Sequence, residues 1–156
     1  MKKIKFFIVV CFSLIFSIHT TVIAATHFTN TFVEKPYIDE SIVIESTLTI
    51  SIPDLQLFSA ARSISASKTY TIKSKNGKIL ATFSLDGTFE YDNKSATCIN
   101  ATYRSSILNT TWYFSSKSAW KSGNKAIGEF TAKNDDVAQT ISETITLTCH
   151  TDGTVT

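Results

Sequence analysis

Ile72-Lys73-Ser74-Lys75-Asn76-Gly77-Lys78-Ile79-Leu80-Ala81-Thr82-Phe83 is the stretch that decides the fold. Asn-Gly between two alternating runs is the favoured two-residue hairpin turn, because both central positions need positive φ. A loop at Asn76-Gly77 pairs Ser74 with Ile79, Ile72 with Ala81 and Tyr70 with Phe83. That register puts Tyr70, Ile72, Ile79, Ala81 and Phe83 on one face, and a one-residue slip would send half of them to water.

Downstream, the odd positions stay apolar: Ala81, Phe83, Leu85, Phe89 and Tyr91. This predicts one long strand, bent at Gly87. A turn over Asp92-Asn93-Lys94 then sets Tyr91 against Ala96 and Phe89 against Cys98, which turns Cys98 inward. Three further strands are expected. Thr111–Lys117 has Trp112 and Phe114 on one face, with Trp112 in the core. Lys125–Lys133 has Ala126, Gly128, Phe130 and Ala132 inward. Gln139–Cys149 has Ile141, Ile145, Leu147 and Cys149 inward and a row of Thr140, Ser142, Thr144, Thr146 and Thr148 outward. Ser115–Asn124, rich in Ser, Lys and Gly, reads as a loop. Six to seven strands at this spacing predict an all-β, antiparallel, immunoglobulin-like β-sandwich.

The chain before the hairpin has a different character. Lys2, Lys3 and Lys5 precede an apolar run from Phe6 to Ile18, and small residues close it at Val22-Ile23-Ala24-Ala25. Basic, apolar, small is the order of a secretory signal peptide. It predicts a helical leader over 1–24, cut after Ala24 or Ala25, and a secreted, extracellular product that meets a membrane only during export. The apolar run is shorter than the roughly 20 residues of a spanning helix. Residues 25–67 carry both prolines and an acidic group (Glu34, Asp39, Glu40, Glu45), with one apolar strand candidate over Ile42–Ile52 and weak helical spacing over Pro53–Ser65. Ser63-Ile64-Ser65-Ala66-Ser67 reads as a linker. The expected organisation is a leader at 1–24, an arm, linker or pro-segment at 25–67, and a β-sandwich at 68–156.

The formal charge of +2 belongs to the leader. Removing it takes three of fifteen basic residues and no acidic one, leaving twelve against thirteen and a net charge of −1. A near-neutral chain offers no electrostatic footprint for nucleic acid. Cys11 leaves with the leader, and the remaining pair, Cys98 and Cys149, predicts a disulfide in an oxidising compartment.

Several stretches resemble a group of small secreted all-β proteins of Gram-positive bacteria that have no assigned function. They are Lys68-Thr69-Tyr70-Thr71-Ile72-Lys73, Ala81-Thr82-Phe83, Gly87-Thr88-Phe89-Glu90-Tyr91, Ala96-Thr97-Cys98, Lys121-Ser122-Gly123-Asn124-Lys125-Ala126 and Thr146-Leu147-Thr148-Cys149. The resemblance covers 68–156 and implies a secreted all-β domain and no activity. The order Cys98, Trp112, Cys149 suits an immunoglobulin-type domain, but Leu147 stands where that family has its corner tyrosine.

Catalytic signals are weak. No serine sits in a Gly-x-Ser-x-Gly elbow. Cys149 and His150 are strand neighbours that point to opposite faces, which spoils a nucleophile–base pair. Asp135-Asp136 reads as a solvated turn. Cys98, Cys149, His150 and Asp152 lack the paired spacing of a structural zinc site. No enzyme activity, metal or cofactor is therefore expected. The sharpest binding signal is Trp120, a large aromatic in polar Lys117-Ser118-Ala119-Trp120-Lys121, where Lys117 and Lys121 would flank an exposed contact for cell-wall glycan, a host protein or another protein. These features predict a secreted module acting by surface contact. The competing expectation is an antimicrobial or toxin-like effector released from a pro-segment at 25–67. Sequons at Asn93, Asn100 and Asn109 are expected to stay unmodified behind a bacterial-type leader.

Overall fold

A computed structural model describes residues 26–33, 41–52 and 62–156 of the 156-residue chain. It contains eight strands: β1 (Thr26–Val33), β2 (Ile42–Ile52), β3 (Arg62–Ser74), β4 (Ile79–Tyr91), β5 (Ala96–Ile107), β6 (Trp112–Ser122), β7 (Lys125–Asn134) and β8 (Gln139–Thr148). They form two antiparallel sheets, β1-β2-β3-β4-β5 and β6-β7-β8. No helix occurs among the described residues. The expected leader and its cut at Ala24 or Ala25 lie outside them.

Strand order is consecutive in both sheets. An immunoglobulin-type domain instead divides its strands between sheets through Greek-key connections. The Cys98, Trp112, Cys149 order therefore does not carry that family's topology.

The long hairpin is present, with Tyr70 opposite Phe83 and Ile72 opposite Ala81. Its tip differs from expectation. Gly77 N donates to Ser74 O at 2.8 Å and Ser74 N to Lys78 O at 2.9 Å, and of Asn76 and Gly77 only the glycine has positive φ, at 79°. This is a three-residue loop with a glycine in the left-handed position. The extra loop residue is absorbed by a bulge after Ile72, which sets Ile79 opposite Lys73. Ile79 is consequently exposed, and Leu80 is buried in its place.

β4 is one continuous strand, as its parity predicts. The Phe89 ring folds back over Gly87: a Cβ there would sit 2.8 Å from two ring carbons. The following turn sets Tyr91 opposite Ala96 and Phe89 opposite Cys98. Between the sheets, Phe83 stacks on Phe130 with ring centroids 4.9 Å apart, and Phe114 meets Phe130 edge-on at 5.8 Å. Trp112, Ile141, Ile145 and Leu147 complete the inner layer.

Three features of the N-terminal half and of β6 depart from the sequence reading. The boundary expected at 67/68 falls inside β3, and Ser63–Ser67, read as a linker, is strand with Ile64 and Ala66 buried. Of the weak helix over Pro53–Ser65, residues 53–61 lie outside the description and Arg62–Ser65 is extended. β6 continues to Ser122, through most of the expected loop Ser115–Asn124. As an edge strand with an exposed face it carries Ser and Lys at little cost, and such composition imitates a loop.

Cys98 and Cys149 are both buried, as their parity predicts, but both are free thiols. The expected disulfide is not formed. The β6–β7 turn holds the two backbones: Cys98 N donates to Gly123 O at 2.8 Å and Cys149 N to Asn124 O at 3.0 Å. Each thiol is satisfied locally, by Asn100 O at 3.2 Å and His150 O at 3.5 Å. Burial raises both thiol pKa values.

Candidate functional site

The outer face of β6-β7-β8 collects the side chains with most chemistry. Alternation fixes which residues reach it. Ala119 packs towards the core, so Trp120 points out. Trp120 lies opposite Ile127, which lies opposite Thr146. The next row is Ser118, Glu129 and Thr144, and the one after it Ser116, Thr131 and Ser142. Ser116, Glu129, Thr131, Ser142 and Thr144 line a shallow hollow of about 230 Å³. Thr131 Oγ1 and Ser142 Oγ are 3.0 Å apart across it. Ser142 and Thr144, from the outward hydroxyl row read from the sequence of β8, thus form one wall of this hollow.

A second aromatic closes the far end. Tyr113 lies opposite Lys133, which lies opposite Thr140. Both Tyr113 and Trp120 are 40% exposed. The Tyr113 hydroxyl donates to Asp135 Oδ1 at 3.0 Å, which fixes the ring and pushes the phenol pKa up. Sequence reading missed Tyr113, because its partner aromatic is seven positions away and simple alternation would set the two on opposite faces. A bulge between Phe114 and Ser116 adds one residue and brings them to the same face.

Trp120 is exposed as expected, but near the end of β6 rather than in a loop. The two lysines expected to flank it do not. Odd-numbered Lys117 and Lys121 leave β6 on the other side and reach β5. Lys117 Nζ donates to Ser105 Oγ at 3.1 Å and lies 5.4 Å from the Phe114 ring centroid. Lys121 Nζ donates to Ile99 O at 3.2 Å. The strand period separates i from i+1, so residues adjacent in sequence serve different faces. These lysines tie the edges of the two sheets together, and the row next to Trp120 on its own face holds Lys125, opposite Ser122 and Thr148.

The outer face of the five-stranded sheet is also rich in hydroxyls. Thr49, Ser51, Ser65, Ser67, Asp86, Thr88 and Arg104 border a hollow of about 360 Å³. Its charges are internally paired: Arg104 Nε and Nη2 donate to the two Asp86 oxygens, each at 2.8 Å. No aromatic ring borders it.

Among the described residues no group of three His, Cys, Asp or Glu side chains is close enough to share a metal ion. The Trp120 face brings together two aromatic side chains, hydroxyls that donate and accept, and carboxylates at Glu129 and Asp135. No family model, no curated protein and no solved structure matches the chain.

Proposed function

We propose that this is an exported, non-enzymatic β-sandwich that works by surface contact, and that the outer face of β6-β7-β8 binds glycan. The observation that carries the reading is Trp120. It is a large aromatic exposed near the end of β6, opposite Ile127 and next to the hydroxyl and carboxylate row of Ser118, Glu129 and Thr144. A pyranose has an apolar face of ring C–H groups and a rim of hydroxyls. An indole plane takes the first, and Ser, Thr and Glu side chains take the second. The basic, apolar and small order of residues 1–25 supports export.

The competing effector reading, with 25–67 removed, is disfavoured by packing. A cut near residue 67 would sever β3 and strip Ile42, Ile44, Ile64 and Ala66 from the core. The test is a pull-down of purified protein on insoluble bacterial cell-wall glycan. Wild type should be retained and Trp120→Ala should be released. Equal retention of the two proteins would overturn the reading.

A further inference from the structure

Resting on that reading, we propose that the ligand is a linear β-1,4-linked N-acetylhexosamine chain, lying along β6 from Trp120 to Tyr113. Three observations define its length and shape. First, the two rings share one face although they are seven positions apart, because the bulge at Ser115 corrects the parity. Secondly, their β7 partners, Ile127 and Lys133, are six residues apart. At about 3.3 Å per strand residue this separates the two ring rows by about 20 Å, the length of roughly four pyranose rings end to end. Thirdly, the intervening rows are polar: Ser118, Glu129 and Thr144, then Ser116, Thr131 and Ser142.

A flat, straight chain fits this arrangement best. β-1,4 linkage keeps successive pyranoses in an extended ribbon, which suits a polar strip bounded by a ring at each end. The hollow lies between the rings and supplies acceptors where an amide N–H or hydroxyl would arrive, the Glu129 carboxylate among them. Branched or compact sugars would reach one ring only. Tyr113 is held for the role by Asp135, to which its hydroxyl is bonded while the residue stays 40% exposed.

The experiment is calorimetric titration of the intact secreted chain with chitin oligosaccharides of two to six units. Affinity should rise by about tenfold or more between two and four units and then level off. Tyr113→Phe should keep that profile. Tyr113→Ala should bind the disaccharide as wild type does and lose the gain with length. A flat length profile in wild type, or an unaltered one in Tyr113→Ala, would overturn this proposal and leave the glycan reading standing. Unchanged binding of every oligomer by Trp120→Ala would instead remove the reading beneath it, and absence of binding at any length would remove the chitin-type ligand.

Discussion

Tyr113 and Trp120 stand on one face of the same strand at an odd sequence separation, and Ser115 is the residue that makes this possible. Phe114 and Ser116 take consecutive partners, Ala132 and Thr131, and Ser115 is looped between them. A bulge of this kind leaves one residue unpaired and reverses the alternation beyond it. It also keeps Trp112 and Phe114 in the core while Ala119 packs there too.

Deleting Ser115 should therefore be far worse than changing it. Without the extra residue, either the Trp112 and Phe114 pair or the strand beyond the bulge must turn over. Truncating a buried aromatic such as Trp112 costs about 3–5 kcal/mol, and the partly buried Phe114 adds to that loss. Ser115→Ala keeps the backbone and loses only an exposed contact to Thr131 O, so its effect should stay within about 0.5 kcal/mol. Chemical denaturation of the two variants checks this. Similar midpoints would show that the bulge is not what sets the alternation.

The C-terminal turn makes a second contrast. Gly153 has φ of 85°, and a Cβ there would lie 2.3 Å from the Tyr91 ring. Gly77 has nearly the same φ, 79°, with open space around it. Gly77→Ala pays only for conformation, about 1 kcal/mol. Gly153→Ala pays that and must also displace Tyr91, whose ring is packed in the core, so a loss of roughly 2–4 kcal/mol is expected. Thermal melts of both variants should separate them clearly, and equal shifts would show that Tyr91 yields without cost.

The inner face of the fold was legible because it is written in period two. Tyr70, Ile72, Ala81, Phe83, Leu85, Phe89, Ile141, Ile145 and Leu147 fall on alternate positions of their strands, with Glu143 the polar exception in β8, and all nine are buried. What alternation cannot show is a break in itself. The bulges after Ile72 and at Ser115 displaced Ile79 outward and brought Tyr113 to the Trp120 face, and neither leaves a compositional mark. β6 was cut short for a related reason, since an edge strand half in water needs few apolar residues. Trp120 was legible as an exposed aromatic. Its neighbours were not, because they come from β7 and β8, across the sheet rather than along the chain.

The two thiols offer a chemical test of the core. Burial raises the pKa of both Cys98 and Cys149, and the thiolate is the reactive form. Folded protein at mildly alkaline pH should therefore react slowly with an aromatic disulfide reagent. Protein prepared from residue 25 onward and unfolded in guanidinium should release two reactive thiols together. Rapid reaction in the folded state would place a sulfur at the surface, and failure to find two thiols on unfolding would show that the pair is oxidised.

Stability should also carry the signature of Asp86. Hydrogen bonding to the Arg104 guanidinium, above its other contacts, holds this carboxyl below the usual carboxylate range. A depressed folded-state pKa means that the stabilisation is complete above the unfolded value, about 3.9. It is then lost as pH falls through the lower folded value. The pair is partly open to solvent, with 71% of the Arg104 side chain and 29% of the Asp86 side chain exposed. Screening therefore limits the contribution to about 1 kcal/mol or less, despite the bidentate geometry. Asp86→Asn should be less stable than wild type by a constant amount from pH 7 to about pH 5, and the gap should close below about pH 3. Urea unfolding of both proteins at each pH measures it. A gap that persisted undiminished into acid would show that the Asp86 charge is not its source.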